Sequence, residues 1–367
     1  MDKPEQQIHF THPTSDGWKL RLFYYPASTA HKANTPVVLC HGLAANKHSC
    51  DFGIAGSAEW DKYSLASFLS QGGLKKETSF DVWVPELRGR GEQATFHPLH
   101  HPERYKWCVD DYIQKDVPTI ISTIQKHYFK KNGQRPKLFW VGKSMGGMII
   151  YGHGETQTGK RSLKGVVTIG SPISFTHTSP VLDILSRIAP RNLYIPINAS
   201  EFLTKHPEIK ERFKETGANL SNIDPIVYEQ YISLGMNNTI SSKVLSHFSV
   251  FFRHHTFCRY PQFPWLFDTL GRFSILKPLF WPYDYKQQLK RFNTPILVLS
   301  GENDHAASPD DVSYAANNVG SKDVSSVNFS KKNGYTADYG HLDLNLGYNV
   351  KNEVYPIIYN WLMQRDK

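Results

Sequence analysis

A serine at position 144 lies in a context that can make its hydroxyl a nucleophile. The segment Leu138–Ile150, LFWVGKSMGGMII, passes from β-rich residues through Gly-Lys-Ser-Met-Gly into a helical pattern. A G-x-S-x-G sequence between a strand and a helix is typical of a sharp turn that exposes the serine Oγ, and it needs minimal side chains two positions to either side. Gly142 and Gly146 meet that need. We therefore predict that Ser144 is a catalytic nucleophile.

The Gly-Lys-Ser inside this segment could instead indicate a phosphate-binding loop. That motif requires a glycine five residues before Gly142, and Lys137 occupies the position. The nucleotide-binding interpretation therefore fails.

A serine hydroxyl also needs a base, and the base needs a carboxylate that orients it. Asp304 follows the β-rich run Pro295–Ser300 in a turn, and His341 lies in the later loop DYGHLDLNLG. The order serine, acid, histidine is the one expected when the serine stands in such a strand–turn–helix. We predict a triad of Ser144, Asp304 and His341. The sequence leaves open other histidines and acids: His254, His255, His305, Asp310, Asp311 and Asp343.

The tetrahedral intermediate of acyl transfer requires hydrogen-bond donors for its oxyanion, and backbone amides can supply them. One donor should be Met145, directly after the nucleophile. The other should be Leu43, in the loop His41-Gly42-Leu43 after an early strand, where Gly42 lets the chain turn. We interpret His41 as a structural hydrogen-bonding residue.

The remaining chain alternates β-rich runs with helical patterns, which is typical of a mostly parallel central sheet flanked by helices. The predicted strands are Thr35–His41, Phe80–Pro85, Lys137–Val141, Leu163–Ile169, Pro295–Ser300 and Val324–Phe329. The predicted helices are Asp111–Tyr128, Ser144–Gly152 and Val350–Met363. The fold class is therefore predicted to be α/β.

The alternation is lost between residues 172 and 290 and resumes afterwards. We predict one core, formed by residues 1–171 and 291–367, with residues 172–290 inserted as a cap. Trp265 and Phe267 are candidate substrate-binding residues in an apolar cluster of this insertion, which could alternatively pack the cap onto the core. The cluster also includes Leu266, Leu270, Phe273, Ile275, Leu279, Phe280 and Trp281.

Composition narrows the class of partners. The chain has 42 Lys and Arg against 33 Asp and Glu, a net charge of +9, but these residues form no long basic run, so nucleic acid is not an expected partner. The net positive charge would favour peripheral contact with an anionic membrane. A start without a signal-peptide pattern, together with four scattered cysteines, favours a reduced, cytoplasmic location. No ligand spacing indicates a metal, and the triad chemistry needs no cofactor.

Several motifs together resemble the α/β-hydrolase superfamily, and within it the acid-lipase-like branch of lipases and esterases. They are LCHGLAANKHSCDF, VPELRGRG, GKSMGG, SGENDHAASPDDV and YGHLDLNLGYNVKNEVYPIIYNWL. The resemblance covers about residues 1–171 and 291–367, and it implies an α/β-hydrolase fold with a triad at Ser144, Asp304 and His341. It departs at Lys143, because many relatives have histidine before the nucleophile.

The function expected from these residues is hydrolysis of a lipophilic carboxylic ester through an acyl-enzyme. An acyltransferase would use the same triad, since one base can activate either water or an alcohol. A non-catalytic binding protein with this fold is the third hypothesis, against which the complete triad argues. The oligomeric state, the acyl length and the head group of the substrate stay open.

Overall fold

A computed structural model describes residues 7–91, 95–177, 194–270 and 281–366 of the chain. The strands are β1 (Gln7–Phe10), β2 (Arg21–Tyr25), β3 (His31–Lys32), β4 (Val37–Cys40), β5 (Thr78–Ser79), β6 (Val82–Pro85), β7 (Leu138–Lys143), β8 (Leu163–Ile169), β9 (Pro196–Asn198), β10 (Thr239–Ser241), β11 (Ile296–Gly301) and β12 (Val324–Phe329). The helices are α1 (Ala58–Tyr63), α2 (Leu65–Ser70), α3 (Val109–Asp111), α4 (Val117–Asn132), α5 (Met145–Gly154), α6 (Gln157–Ser162), α7 (Ala199–Lys205), α8 (Pro207–Gly217), α9 (Pro225–Gln230), α10 (Ser242–His254), α11 (Pro264–Leu270), α12 (Pro309–Asn318), α13 (Asp343–Leu346) and α14 (Val350–Arg365).

The main sheet has the strand order β1-β2-β6-β4-β7-β8-β11-β12. The strands from β6 to β12 in this order are parallel, and β1 and β2 add an antiparallel edge. The predicted mostly parallel sheet is therefore confirmed, and each of the six predicted strands corresponds to a strand of the sheet. The sequence interpretation missed β1 and β2, because β1 is short and largely exposed and carries no buried apolar run.

The strands carry near-continuous apolar runs because both faces of the sheet are covered. In β4, Val37 and Leu39 belong to the core on one face, whereas Val38 and Cys40 belong to the core on the other. Successive side chains of a strand point to opposite faces, so each run contributes to both cores. A buried parallel sheet of this kind leaves its carboxyl edge as the place where loops can form a site.

The helix predicted over Asp111–Tyr128 has an irregular start. It consists of α3, a π-helical turn at Tyr112–Asp116, and α4. Pro118 has no N–H to donate to the carbonyl four residues before it, which interrupts the regular ladder at this point. None of the helices in the described ranges is long and apolar enough to cross a lipid bilayer.

The chain between β8 and β11 leaves the sheet and returns to the adjacent position. The two strands pair directly in parallel, with Val166 opposite Ile296. The described part of the intervening segment contains a two-stranded sheet of β9 and β10 and the helices α7 to α11. His247 of α10 attaches the segment to the core, because its Nδ1 accepts a hydrogen bond from the Val109 amide (3.2 Å).

A buried ion pair fixes the loop after β6. The Arg88 guanidinium donates to Asp116 at 2.6 and 2.9 Å and to Asp16 at 2.7 Å. Arg88 and Asp116 are 1% and 0% exposed, so neither charge is solvated by bulk water. The Arg88 charge holds the pKa of the Asp16 carboxyl well below its usual range, against the opposing effect of burial. The pair therefore depends on both partners being present.

Replacing Arg88 by Met should leave the Asp116 carboxylate buried without its counter-ion. The free energy of unfolding should fall by about 3–5 kcal/mol, as is usual when one partner of a buried pair is removed. Chemical denaturation monitored by fluorescence measures this change. Arg104→Met at an exposed position should change the stability by less than about 0.5 kcal/mol, and equal losses in the two variants would contradict the importance of the pair.

Candidate active site

Ser144 lies in a sharp turn between β7 and α5, at the carboxyl edge of the sheet. Its φ of 52° and ψ of −121° form a conformation that non-glycine residues rarely adopt, and such strain is characteristic of functional turns. The Ser144 amide donates to the Ile169 carbonyl (2.9 Å), and the Ser144 carbonyl accepts from the amides of Gly147 and Met148. The serine is thus held at the N-terminus of α5, where the helix dipole favours negative charge.

Close backbone contacts explain the glycines around the serine. A Cβ on Gly142 would lie 2.4 Å from the carbonyl carbon of Gly146, and a Cβ on Gly146 would lie 2.3 Å from the Cys40 carbonyl oxygen. Side-chain atoms essentially never approach so closely, so neither position can hold a larger residue without displacement of the backbone. The expectation that both positions need minimal side chains is confirmed.

His341 and Asp304 are brought together from the loops after β12 and β11. The Nδ1 of His341 lies 2.7 Å from Oδ2 of Asp304. The other oxygen, Oδ1, accepts from the amides of Ala306 (3.0 Å) and Ala307 (2.7 Å), and Asp304 is 1% exposed. An ionised carboxylate only accepts hydrogen bonds, so the ring proton lies on Nδ1 and Nε2 stays free to act as a base.

Ser144 and His341 line the same cavity. In the described part of the chain no side chain is hydrogen-bonded to the Ser144 hydroxyl, and this includes His341. Hydrogen bonds between a nucleophile and its base are often formed only when substrate is bound. The arrangement thus provides a serine, an oriented imidazole and a buried carboxylate at one edge of the sheet.

The loop after β4 passes directly over the serine. A Cβ on Gly42 would be 3.0 Å from the Cβ of Ser144, so the backbone approaches the nucleophile closely. Among the described residues, no protein group accepts a hydrogen bond from the amide of Leu43 or of Met145. Two unengaged amides flanking a serine hydroxyl are what an oxyanion hole needs.

His41 has structural hydrogen bonds at the start of this loop. Its Nε2 accepts from the Leu87 amide (3.2 Å), so the ring proton lies on Nδ1, which donates to the Gly42 carbonyl (3.0 Å). Burial, together with the charge of Arg90, lowers the pKa of His41 to about 3. The ring is therefore neutral and holds the glycine turn in place.

The alternative acid and base residues lie apart from this constellation. His305 and Asp310 are exposed at the surface. The Asp311 carboxylate accepts from the amides of Thr176 (2.9 Å) and His177 (2.9 Å), and it thereby attaches the start of the segment after β8 to α12. These contacts account for Asp311 without any catalytic role.

Asp343 holds the loop that carries His341. Its carboxylate accepts from the Gly340 amide (2.8 and 2.9 Å), from the Asn219 amide (3.1 Å) and from the Asn222 side chain (2.8 Å). Asn219 and Asn222 belong to the segment between β8 and β11. The histidine loop is therefore tied to that segment by a buried carboxylate.

Two further residues belong to the site, Lys143 and Gly170, and sequence reasoning did not predict their roles. The Lys143 ammonium donates to the backbone carbonyl of His341 at 2.6 Å. Gly170 has a φ of +54°, and a Cβ there would lie 3.1 Å from Asp304 Oδ2, 3.1 Å from His341 Nδ1 and 3.2 Å from Lys143 Nζ. A glycine directly after a buried strand was the available signal for such a close approach.

The cavity beside the serine has a volume of about 380 Å³ and is mostly apolar. Its floor comes from the core, with Gly42, Leu43, Ser144 and His341. Its walls come largely from the segment between β8 and β11, through Ile195, Ile197, Phe202, Leu203, Phe213, Met236, Ile240, Leu245 and Phe248.

The apolar wall of the cavity is not formed by Trp265 and Phe267, the residues that the sequence interpretation proposed. Trp265 is 65% exposed, and Phe267 is 2% exposed and packs on the rings of His254 and Trp281. Neither Trp265 nor Phe267 lines the cavity, because Trp265 is directed to solvent and Phe267 is occupied by its two neighbouring rings. Other residues of the predicted cluster lie outside the described residues: Phe273, Ile275, Leu279 and Phe280.

One described cluster has metal-ligand chemistry, formed by Cys108, Asp110 and His247. Both ring nitrogens of His247 are already engaged, Nδ1 by the Val109 amide and Nε2 by the Cys258 carbonyl (2.9 Å). Burial raises the pKa of the Cys108 thiol well above its usual range, which disfavours the thiolate that a metal would need. These contacts indicate a structural cluster.

Comparisons with known proteins agree with this geometry. The sequence model of a family described as "alpha/beta hydrolase fold" matches residues 35–192. The chain has the α/β-hydrolase fold. The gastric triacylglycerol lipase of Bos taurus is 23% identical to this chain over 376 residues, which cover 96% of the chain and 87% of the lipase. The resemblance inferred from the motifs is therefore confirmed.

Solved structures show the same fold. An esterase from Exiguobacterium antarcticum superposes with a TM-score of 0.60 at 13% identity, and the match covers 97% of this chain and 100% of the esterase. A soluble variant of the monoglyceride lipase of Saccharomyces cerevisiae gives a TM-score of 0.56 at 16% identity and covers 100% and 96% of the two chains. The proteins that the chain resembles are thus lipases and esterases.

The Gly170→Ala variant tests the crowding around the His341–Asp304 pair. Gly133→Ala is the matched control, because Gly133 also has a positive φ (72°) but has nothing within 4 Å of the added Cβ. Both variants should lose about 1 kcal/mol of stability from the left-handed backbone. Only Gly170→Ala should displace the imidazole and slow the reaction of Ser144 with a fluorophosphonate, by about 10-fold. Equal labelling rates in the two variants would refute the steric role of Gly170.

Proposed function

We propose that this α/β-hydrolase is a serine hydrolase that cleaves the carboxylic esters of lipophilic acids. The observation that carries the proposal is the His341–Asp304 hydrogen bond at the cavity that the strained Ser144 also lines. Three groups with these roles, from three loops at one sheet edge, are the requirement for acyl transfer through a covalent intermediate.

Acylation begins with attack of Ser144 Oγ on the ester carbonyl carbon. His341 Nε2 accepts the hydroxyl proton as the C–O bond forms, and the buried Asp304 carboxylate stabilises the imidazolium. The carbonyl oxygen becomes an oxyanion between the amides of Leu43 and Met145, which need no reorganisation to donate to it. Collapse of the intermediate breaks the bond to the alcohol, which leaves with the proton from His341.

Deacylation repeats the same steps with water as the nucleophile. His341 removes a proton from the water, which attacks the acyl carbon, and the proton then passes to Ser144 Oγ as the acid departs. The products are a carboxylic acid, an alcohol and the regenerated enzyme. None of these reaction steps uses a metal or a cofactor.

The proposed substrate class follows from the apolar walls of the cavity. In this proposal the inserted segment, residues 172–290, serves as the cap. The support is that Phe202, Phe213, Ile240 and Leu245, from its described part, line the same cavity as Ser144. An acyl chain placed against such side chains would gain about 0.8 kcal/mol per buried methylene. The lipases and esterases that the chain resembles support an ester with an apolar acyl group.

Acyl transfer to an alcohol and ligand binding without turnover are the alternatives. The same base would activate an alcohol or water. Hydrolysis is favoured because the proteins that the chain resembles include a triacylglycerol lipase and an esterase. A binding protein would have no need for a serine held at a strained φ beside an oriented imidazole.

Replacing Ser144 by Ala should lower ester hydrolysis by several orders of magnitude, because the covalent route is lost. Labelling by a fluorophosphonate should disappear as well. The hydrolysis of nitrophenyl esters and mass spectrometry of the labelled protein measure these two effects. His341→Ala should be comparably damaging. His305→Ala should keep most activity, because His305 is exposed although it follows Asp304 directly in the chain. Near-normal turnover by folded Ser144→Ala would end the proposal.

Changing the cavity wall should alter the preference for acyl length. Phe202→Ser together with Phe213→Ser should lower kcat/KM for a long-chain nitrophenyl ester relative to the acetate ester. Loss of contact with about four methylenes is worth roughly 3 kcal/mol, or about 100-fold. Trp265→Ser is the control, because this exposed aromatic residue lies off the cavity. Equal losses on both esters would place the acyl site elsewhere.

A further inference from the structure

Lys143 is the last residue of β7 and directly precedes the nucleophile. Its side chain is 4% exposed, and its Nζ donates to the backbone carbonyl of His341 at 2.6 Å. The contact joins residues that are 198 positions apart in the chain. It therefore connects the strand that presents Ser144 to the loop that presents the base.

The environment of the Lys143 ammonium is unusual for a lysine. It forms no ion pair with a carboxylate in the described ranges, and the ionisable groups that face it are Asp304, Asp343 and Cys50. Burial lowers the pKa of Lys143 to about 8, and the two carboxylates oppose that shift. A buried charge with one hydrogen bond has a large desolvation cost.

Stability alone does not account for a lysine at this position. A methionine has a similar length and fills the same space without a charge to desolvate, and apolar replacements of buried charges are often neutral or stabilising. The lysine is therefore better explained by what its ammonium does for its neighbours. One neighbour is the backbone carbonyl of His341, which accepts the hydrogen bond from Nζ. Two others are Asp304 Oδ2 and His341 Nδ1, which converge with Nζ on the position that a Cβ of Gly170 would occupy.

We propose that Lys143 is a positioning residue that sets the distance between the nucleophile and the base through its hydrogen bond to the His341 carbonyl. The inference rests on the proposed function of the triad. The imidazole is oriented by Asp304 and its loop is tied down by Asp343, and neither contact involves β7. Among the described residues, Lys143 supplies the side-chain contact between the two catalytic segments.

The test compares Lys143→Met, which removes both the charge and the donor, with Lys143→Gln, which keeps an N–H donor without the charge. Lys137→Met is the control, because Lys137 is exposed and precedes the other end of the same strand. For each folded variant, kcat and KM are measured on a nitrophenyl acetate. Circular dichroism and thermal unfolding verify the fold.

Lys143→Met should lower kcat by about 10-fold with little change in KM, because misplacement of the base affects the chemical step. Lys143→Gln should regain part of kcat, because its side chain keeps an N–H donor, and Lys137→Met should match the wild type.

A folded Lys143→Met with the kcat of the wild type would overturn the inference. Failure of both Met and Gln variants to fold would also overturn it, since Lys143 would then be a folding residue. Wild-type turnover and its loss in Ser144→Ala test the proposed function separately. An inactive wild type would thus be distinguished from an incorrect role for Lys143.

Discussion

The site depends on the close approach of three backbone segments around a strained serine. Ser144 occupies φ 52°, and the turn closes because Gly142 and Gly146 allow the chain to pass within contact distance of itself and of β4. Gly42 then brings a third segment against the serine. The amides of the proposed oxyanion hole, the position of the Ser144 hydroxyl and the start of α5 all follow from this packing, because each depends on backbone atoms whose positions the turn fixes. Strain of this kind persists only where the surrounding structure determines it fully.

Buried charges then position the base against this turn. Asp304 orients the imidazole, Asp343 holds the histidine loop, and Lys143 contacts the loop from the nucleophile strand. Each charge is removed from water, so each carries a desolvation cost that its hydrogen bonds must offset. If any member moves away, another buried polar group is left unsatisfied, which costs free energy. The network is therefore rigid. Rigidity of the base is the property that general-base catalysis requires.

Much of the core and of the candidate site can be predicted from the sequence, because the signals are local. Apolar runs predict the parallel strands, and the elbow motif with the order of Ser144, Asp304 and His341 places these residues at one sheet edge. Contacts between distant segments carry no local signal, and for that reason Gly170 and the role of Lys143 were missed. For a related reason, the sequence interpretation assigned Trp265 to the cavity wall, which this residue does not line. An aromatic cluster indicates burial, but whether it faces a cavity or its own neighbours depends on the path of the whole segment.

In the proposed function, the division between core and inserted segment separates chemistry from substrate choice. The residues of the proposed triad and oxyanion hole come from loops of the sheet, whereas most of the cavity wall comes from residues 195–248. The two parts are joined at a few buried polar contacts, including Asp311 with Thr176 and Asp343 with Asn222. Because those contacts use carboxylates of the core and polar groups of the segment, the apolar side chains of the cavity wall can change without altering them. Under the proposed function, specificity for the acyl group could therefore vary while the geometry of Ser144 and His341 is kept.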